Sequence, residues 1–172
     1  MPNMLQLKTK KALRNSYNFF HPFSGKYEVD FKRFSASLDI LSRHLSFEGK
    51  KYLDIGSGIG LMAAALKNLG AEATGVDNFI FPSEKDNYYT VSDFGKLQSI
   101  WENNGLKIVK GDMVNDPLPF YDETFDAVLC EATIEHLPES PKELFNEVHR
   151  VLKRGGLFLV STPNLANLLR RL

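Results

Sequence analysis

Asp54 stands two residues ahead of three glycines, Gly56, Gly58 and Gly60, in the stretch "KKYLDIGSGIGLMAAAL". A glycine-rich turn lets a ligand come close to the backbone, and amides at the start of a following helix can receive a negative group. The dinucleotide fingerprint G-x-G-x-x-G is not met, because Leu61 stands where its third glycine would be. A carboxylate beside the turn suits a ligand with an ammonium group better than one presenting pyrophosphate. Three further acids follow strand-like stretches: Asp77 after "EATGV", Asp112 after "KIVKG", and Glu131 closing "FDAVLCE". In "EATIEHLP", Glu131, Glu135 and His136 come close together, a set that could accept a proton, touch a substrate or ligate a metal ion. If this segment forms one helical turn, Glu131 and Glu135 share a face with His136 adjacent.

Each of these residues also has a plain reading. Asp77 could simply cap a turn, yet it lies about 20 residues beyond Gly56, where a ribose-binding acid belongs. "GD" at Asp112 is a common turn dipeptide, and "EATIEHLP" could be a structural loop. Asp126 begins a strand, at the end remote from the other acids, and reads as structural. Phe79, Phe81, Tyr88 and Tyr89 either wall a ligand or pack under a long loop. Lys8, Lys10, Lys11 and Arg14 read as a solvated face.

The elements that position these residues alternate. After about 30 N-terminal residues with no assigned structure, Phe34, Leu38, Leu41 and Leu45 recur at helical spacing. "KYLDI" is a short strand, "LMAAALKNLG" a helix stopped by Gly70, and "AEATGVD" a second strand. A helix is expected from about Ser92 to Asn104, with Phe94, Leu97, Ile100 and Trp101 inward. "LKIVKGD" and "FDAVLC" are strands three and four, joined by "MVNDPLPFYDET", which lacks a helical period and reads as loop. Ser140, Pro141 and Glu143 supply an N-cap, a first-turn proline and a capping-box partner for a helix carrying Leu144, Phe145, Val148, Val151 and Leu152, which "KRGG" ends. "LFLVST" is strand five, and "NLANLLRRL" begins another helix. Such alternation predicts an α/β fold with a parallel sheet covered on both faces.

Composition narrows the setting. The 172 residues, 43% of them hydrophobic, suit one domain. Lys plus Arg equals Asp plus Glu at 21 each, so the overall balance supports neither nucleic acid nor an anionic membrane as a partner. Cys130 is the one cysteine, and no apolar run approaches the roughly 20 residues that cross a bilayer. No secretory signal is visible, so a reducing cytoplasm is expected.

These motifs resemble the class I S-adenosylmethionine-dependent methyltransferases, whose first motif is an acid followed by G-x-G-x-G, as in "DIGSGIG". The likeness covers roughly residues 34 to 165. "LPFYDETFDAVLCEATIEHLPES" is similar to the family's fourth-strand signature, and "ELFNEVHRVLKRGGLFLVSTPN" to its last shared helix and fifth strand. The resemblance implies a doubly wound, Rossmann-like sheet in the order 3-2-1-4-5, with helices on both faces. It implies S-adenosyl-L-methionine as cofactor and methyl transfer to a small-molecule acceptor at O, N or C. Asp77 would meet the ribose hydroxyls and Asp112 the adenine amino group. The implied cofactor set is Asp54, Ile55, Gly56, Ser57, Gly58, Gly60, Asp77, Asn78, Asp112, Met113 and Glu131. His136 and Glu131 are the catalytic candidates, and no metal is expected, since Glu131 lies one residue too far from Glu135 for the E-x-x-E-H spacing of metal-binding relatives. Residues 1–30 are expected as a segment covering the active site, and residues 31–172 as the cofactor-binding domain. The family closes its sheet with two more strands, whereas this chain stops at Leu172; an exposed edge would invite self-association. The alternative is a cofactor-binding domain without activity, in a regulatory or assembly role.

Overall fold

A computed structural model describes residues 4–79 and 91–163. Five strands, β1 (Lys51–Ile55), β2 (Glu72–Asp77), β3 (Lys107–Lys110), β4 (Phe125–Glu131) and β5 (Leu152–Ser161), pair in parallel in the order β3-β2-β1-β4-β5. The expected order is therefore the observed one. Four of the five β1 residues are buried, as befits a central strand covered on both faces. Its side chains divide between two cores. Tyr52, with Ala127 and Leu129 of β4, faces α1 (Met4–Phe19), α2 (Phe31–His44), α3 (Leu61–Asn68) and α4 (Val91–Asn103). Leu53 and Ile55, with Val128 and Cys130, face α5 (Lys142–Val151) and the loop carrying Met113 and Leu118.

Register levels the strand ends that matter. Ile55 pairs with Val76 on one side and with Cys130 on the other, and Glu131 pairs with Ser161. The carboxyl ends of β1, β2, β4 and β5 thus open on one rim. At the opposite end Asp126 Oδ2 accepts from the Lys51 amide at 2.9 Å and from Lys153 Nζ at 3.0 Å, tying β1, β4 and β5 together.

Where the sequence left the first 30 residues unassigned, the chain forms α1 and a 3-10 helix over Phe23–Asp30. Leu61 to Leu66 of α3 are all buried, so α3 needs apolar neighbours beyond the sheet. α1 supplies them, with Ala12, Leu13 and Tyr17 in the same core as α3. Asn68 Nδ2 also donates to the Ala12 carbonyl at 3.3 Å. The stripe is hard to see because α1 buries Thr9 and Ser16, whose hydroxyls are satisfied by the Gln6 and Leu13 carbonyls, and exposes Met4 and Leu7.

Three further expectations are corrected. α5 starts at Lys142 with Pro141 at its N-cap and no side-chain capping bond, so Ser140 does not cap it. Glu143 Oε2 accepts from Asn146 Nδ2 at 3.2 Å rather than closing a capping box. "KRGG" does not follow a helix end as a free turn. α5 runs directly into β5, and Phe125 pairs with Leu152 while Ala127 pairs with Leu157, so residues 153–156 form a bulge. The crossover before β4 is loop, as expected, and Arg150 of α5 pins it by donating to the Phe120 and Leu118 carbonyls at 2.8 and 3.0 Å. The "NLANLLRRL" helix and Phe81, Tyr88 and Tyr89 lie outside the described residues.

Leu13 is fully buried between α1 and its neighbours. Leu13→Ala is expected to cost about 3 kcal/mol in urea unfolding, the usual range for an emptied core leucine. A variant as stable as the parent would mean that α1 adds nothing to the core.

Candidate active site

The turn after β1 is built on glycines for a visible reason. Gly56, Gly58 and Gly60 have φ of 71°, 53° and 93°, and a Cβ on Gly56 would collide with the Thr133 side chain. The Gly56 and Ser57 amides donate to the Val76 carbonyl at 2.9 and 3.1 Å, fastening the turn to β2. Asp77, at the end of β2, strengthens the same joint. Its Oδ2 accepts from the Gly58 amide at 2.8 Å and its Oδ1 from the Phe79 amide at 2.9 Å. Burial raises the Asp77 pKa, and these backbone donors oppose the shift.

Asp54 and Glu131 are the buried acids of the rim, 4% and 7% exposed. Burial drives the Asp54 pKa well above the usual carboxylate range, and the charges of Glu131 and Asp77 push it further; Arg33 and the Ala63 amide oppose this. Glu131 is also raised by burial, against Arg33 and the hydroxyls of Ser37 and Ser161. Ser161 Oγ donates to Glu131 Oε2 at 3.3 Å, and Arg33 Nη1 lies 3.7 Å from the same oxygen. Arg33 Nη2 donates to Asp30 Oδ1 at 2.9 Å. Among the described residues three buried side-chain polar atoms are left without a hydrogen-bond partner: Glu131 Oε1, Arg33 Nη1 and Ser57 Oγ. Such groups call for an explanation.

All three residues line one cavity of about 310 Å³. Its floor is Asp54, Gly56, Ser57, Gly58 and Ile59, one wall is Tyr27, Asp30, Arg33 and Phe34, and the other is Glu131, Ala132, Glu135 and His136. A larger depression of about 790 Å³ lies at the other end of the sheet, around Asp122, Arg150 and Arg154. There the charges are matched, Arg150 with Asp122, Lys153 with Asp126 and Arg154 with Glu123, so it offers no comparable unpaired group.

The sequence-predicted residues divide. Asp54, Gly56, Ser57, Gly58, Glu131, Glu135 and His136 meet at the cavity. Glu131 and Glu135 do not share a helical turn: Glu131 ends β4, Ala132 takes φ 48°, and a 3-10 turn covers Ile134–His136, leaving Glu135 and His136 exposed at the rim. Asp77, bonded to the Gly58 amide of the turn, and Asn78 do not line this cavity. Ile55 is core under α5, and Gly60 caps α3. Asp112 is engaged in its own turn, accepting from the Val114 amide at 2.9 Å and from Asn115 Nδ2 at 2.9 Å; the Asn115 bond is the main reason that its pKa is lowered. Met113 is 9% exposed in the core facing α5. Phe79 packs edge-on to Phe94 at 5.2 Å and beside Trp101 at 5.5 Å. Among the described residues no group of three or more His, Cys, Asp or Glu side chains is placed to hold a metal ion. Sequence reasoning missed Tyr27, Asp30, Arg33 and Phe34, since nothing in "KYEVDFKRF" sets Arg33 apart from a solvated base.

Residues 53–160 match the family model described as a methyltransferase domain. The chain belongs to the class I S-adenosylmethionine-dependent methyltransferase family. It is 30% identical over 154 residues to the mitochondrial ubiquinone biosynthesis O-methyltransferase of Dictyostelium discoideum, a match covering 84% of this chain and 45% of that protein. It is 37% identical over 113 residues to the sterol 24-C-methyltransferase ERG6A of Gibberella zeae, covering 64% of this chain and 27% of the relative. Among solved structures, an S-adenosylmethionine-dependent methyltransferase from Mesorhizobium loti superposes with a TM-score of 0.55 at 25% identity, over 74% of this chain and 53% of that one. The chain thus spans half or less of the length of the curated relatives named. Membership implies S-adenosylmethionine as the methyltransferase domain's cofactor. No helix among the described residues is long and apolar enough to cross a membrane.

The raised pKa values of Asp54, Glu131 and Asp77 fix a sign. Between the usual carboxylate range and their raised values the native chain holds more protons than the unfolded one, so ligand-free stability falls as pH rises through that window. Asp54→Asn is therefore expected to raise the ligand-free Tm at neutral pH, with less gain in mild acid. A lower Tm at neutral pH would mean that the Asp54 carboxylate is already well satisfied without a ligand.

Proposed function

We propose that this domain transfers a methyl group from S-adenosylmethionine to a small-molecule acceptor, at an oxygen atom. The observation that carries the reading is the set of unpartnered buried atoms on residues lining one cavity, Glu131 Oε1, Arg33 Nη1 and Ser57 Oγ. A carboxylate and a guanidinium side by side match the ammonium and carboxylate of an amino-acid head group. The cofactor has such a head, so the residues present fit it. Bound there, S-adenosylmethionine supplies a methyl group on a positively charged sulfur, already activated toward a nucleophile.

The chain's own residues then divide the work. Asp54 and Glu131 take the ammonium, and Arg33 with the amides of the 56–60 turn takes the carboxylate. Asp77, fixed by two backbone donors, keeps lone pairs for the ribose hydroxyls. Asp112 acts through the turn that it holds, at the adenine end. Residues 23–34 wall the cavity with Tyr27 and Phe34 and limit the entry of water. Burial separates the two catalytic candidates. Glu131 is enclosed beside Arg33 and serves the head group, whereas His136 stands exposed at the rim, where an incoming hydroxyl can give up its proton. The ubiquinone relatives are named as O-methyltransferases, which supports oxygen; the sterol relative is named as a C-methyltransferase.

Arg33→Ala is expected to weaken S-adenosylmethionine binding by roughly 10- to 100-fold, the range for loss of a charge-assisted hydrogen bond. Binding of 5′-methylthioadenosine, which lacks the amino-acid head, should change little. Calorimetry with both ligands checks this, and an equal loss for the two would remove Arg33 from the head-group end.

His136→Ala should leave cofactor affinity intact and lower transfer to a phenolic acceptor on the order of 10²-fold or more near neutral pH, with the loss shrinking at high pH, where the phenol ionises by itself. Full turnover by this variant would eliminate His136 as the base.

A further inference from the structure

Overall neutrality conceals an uneven charge distribution. Residues 1–27 hold Lys8, Lys10, Lys11, Arg14 and Lys26 and no acid, while the rest of the chain has more acids than bases. α1 turns Thr9, Ala12, Leu13, Ser16 and Tyr17 inward. Met4, Leu7, Lys8 and Lys11 stand at the helical spacings that put them together on the opposite, exposed face. Met4 is 87% exposed and Leu7 55%. Among the described residues no carboxylate lies within ion-pairing distance of Lys8, Lys10 or Lys11, whereas Arg14 is held by Glu28 at 2.7 Å and sits over the Phe31 ring. The exposed Lys32, Ile40 and Arg43 extend the same mixture onto α2. Asp39 of α2 lies 3.0 Å from the buried Thr9 hydroxyl, on the inward side of α1.

We infer that α1 is a peripheral docking helix that lies flat on an anionic lipid surface, its lysines at the phosphates and Met4 and Leu7 at the edge of the acyl region. Helices with a basic and an apolar element on one outward face settle in that interface. Each lysine near an anionic leaflet strengthens attachment by roughly 5-fold. A nucleic acid would engage the lysines equally well, but its phosphates offer nothing to Met4 and Leu7, and that decides for lipid. α1 continues into the 3-10 segment whose Tyr27 and Asp30 line the cavity, so docking would hold the cavity close to the lipid surface. Docking of this kind is independent of the proposed methyl transfer, and its test reads binding alone.

The full chain is sedimented with sucrose-loaded vesicles of phosphatidylglycerol mixed with phosphatidylcholine, and with vesicles of phosphatidylcholine alone. Binding is expected to the mixed vesicles only, and to weaken with added salt. Lys8→Gln/Lys10→Gln/Lys11→Gln should weaken it on the order of 10²-fold. Met4→Ser/Leu7→Ser should weaken it on the order of 10-fold, from the apolar area no longer buried. Both variants change exposed side chains and should keep the parent's Tm. Docking is overturned if the parent fails to bind, if it binds both vesicle types equally, or if either variant binds like the parent. A chain that binds duplex DNA and not the vesicles overturns it in favour of a nucleic-acid surface.

Discussion

Two carboxylates sharing a rim with little charge to offset them are the constraint around which this domain is arranged. Asp54 and Glu131 lie at the carboxyl ends of neighbouring parallel strands, the Glu131 charge adds to the cost of ionising Asp54, and Arg33 is the cation beside them. Isolated buried charges are strongly unfavourable, and pairing relieves that only in part. Several features of the fold respond to this arrangement. β1 and β4 are held level by their register, β5 brings Ser161 alongside Glu131, and α2 contributes both Arg33 and Ser37. The remaining imbalance sits at the cavity, where a ligand bearing opposite charges can remove it.

Such a site needs a frame that does not yield. The two apolar cores on either face of the sheet, the Asp126 clamp at the far end and the Arg150 anchor on the β3–β4 loop keep the strand ends in place. Asp54, Glu131 and Arg33 sit on strands and a helix, while Gly56, Ser57, Gly58, Glu135 and His136 come from short connections, which are freer to vary in conformation. The left-handed Ala132, directly after Glu131, turns the chain away from the sheet so that Thr133 can back the Gly56 turn.

Strands and the glycine turn were legible because their signals are local and periodic, whereas the sheet order was implied by the family resemblance. Buried strands read as apolar runs, and Gly56, Gly58 and Gly60 occupy positions where a side chain would be strained. The meeting of Asp54 with Glu131 was legible as well, through the rule that ligands bind beyond the carboxyl ends of parallel strands. Arg33 was not, because its role depends on a tertiary contact with a strand almost a hundred positions away. α1 left an indirect trace that could have been read: "LMAAAL" in α3 has no polar face, so a layer outside it was required. Asp112 is a different case. A strand-end acid looks alike whether it meets a ligand or holds its own turn, and here it holds a turn with the neighbouring Asn115.

Trp101 is the one tryptophan in the chain, and its indole Nε1 donates to the Ile59 carbonyl at 2.8 Å, inside the glycine turn. Phe79, which follows Asp77 closely, packs beside the same indole at 5.5 Å. The chromophore is therefore wired both to the glycine turn and to the segment that follows β2. Its emission wavelength and quenching make an intrinsic optical gauge of how tightly that turn is ordered, one that needs neither a label nor a turnover assay.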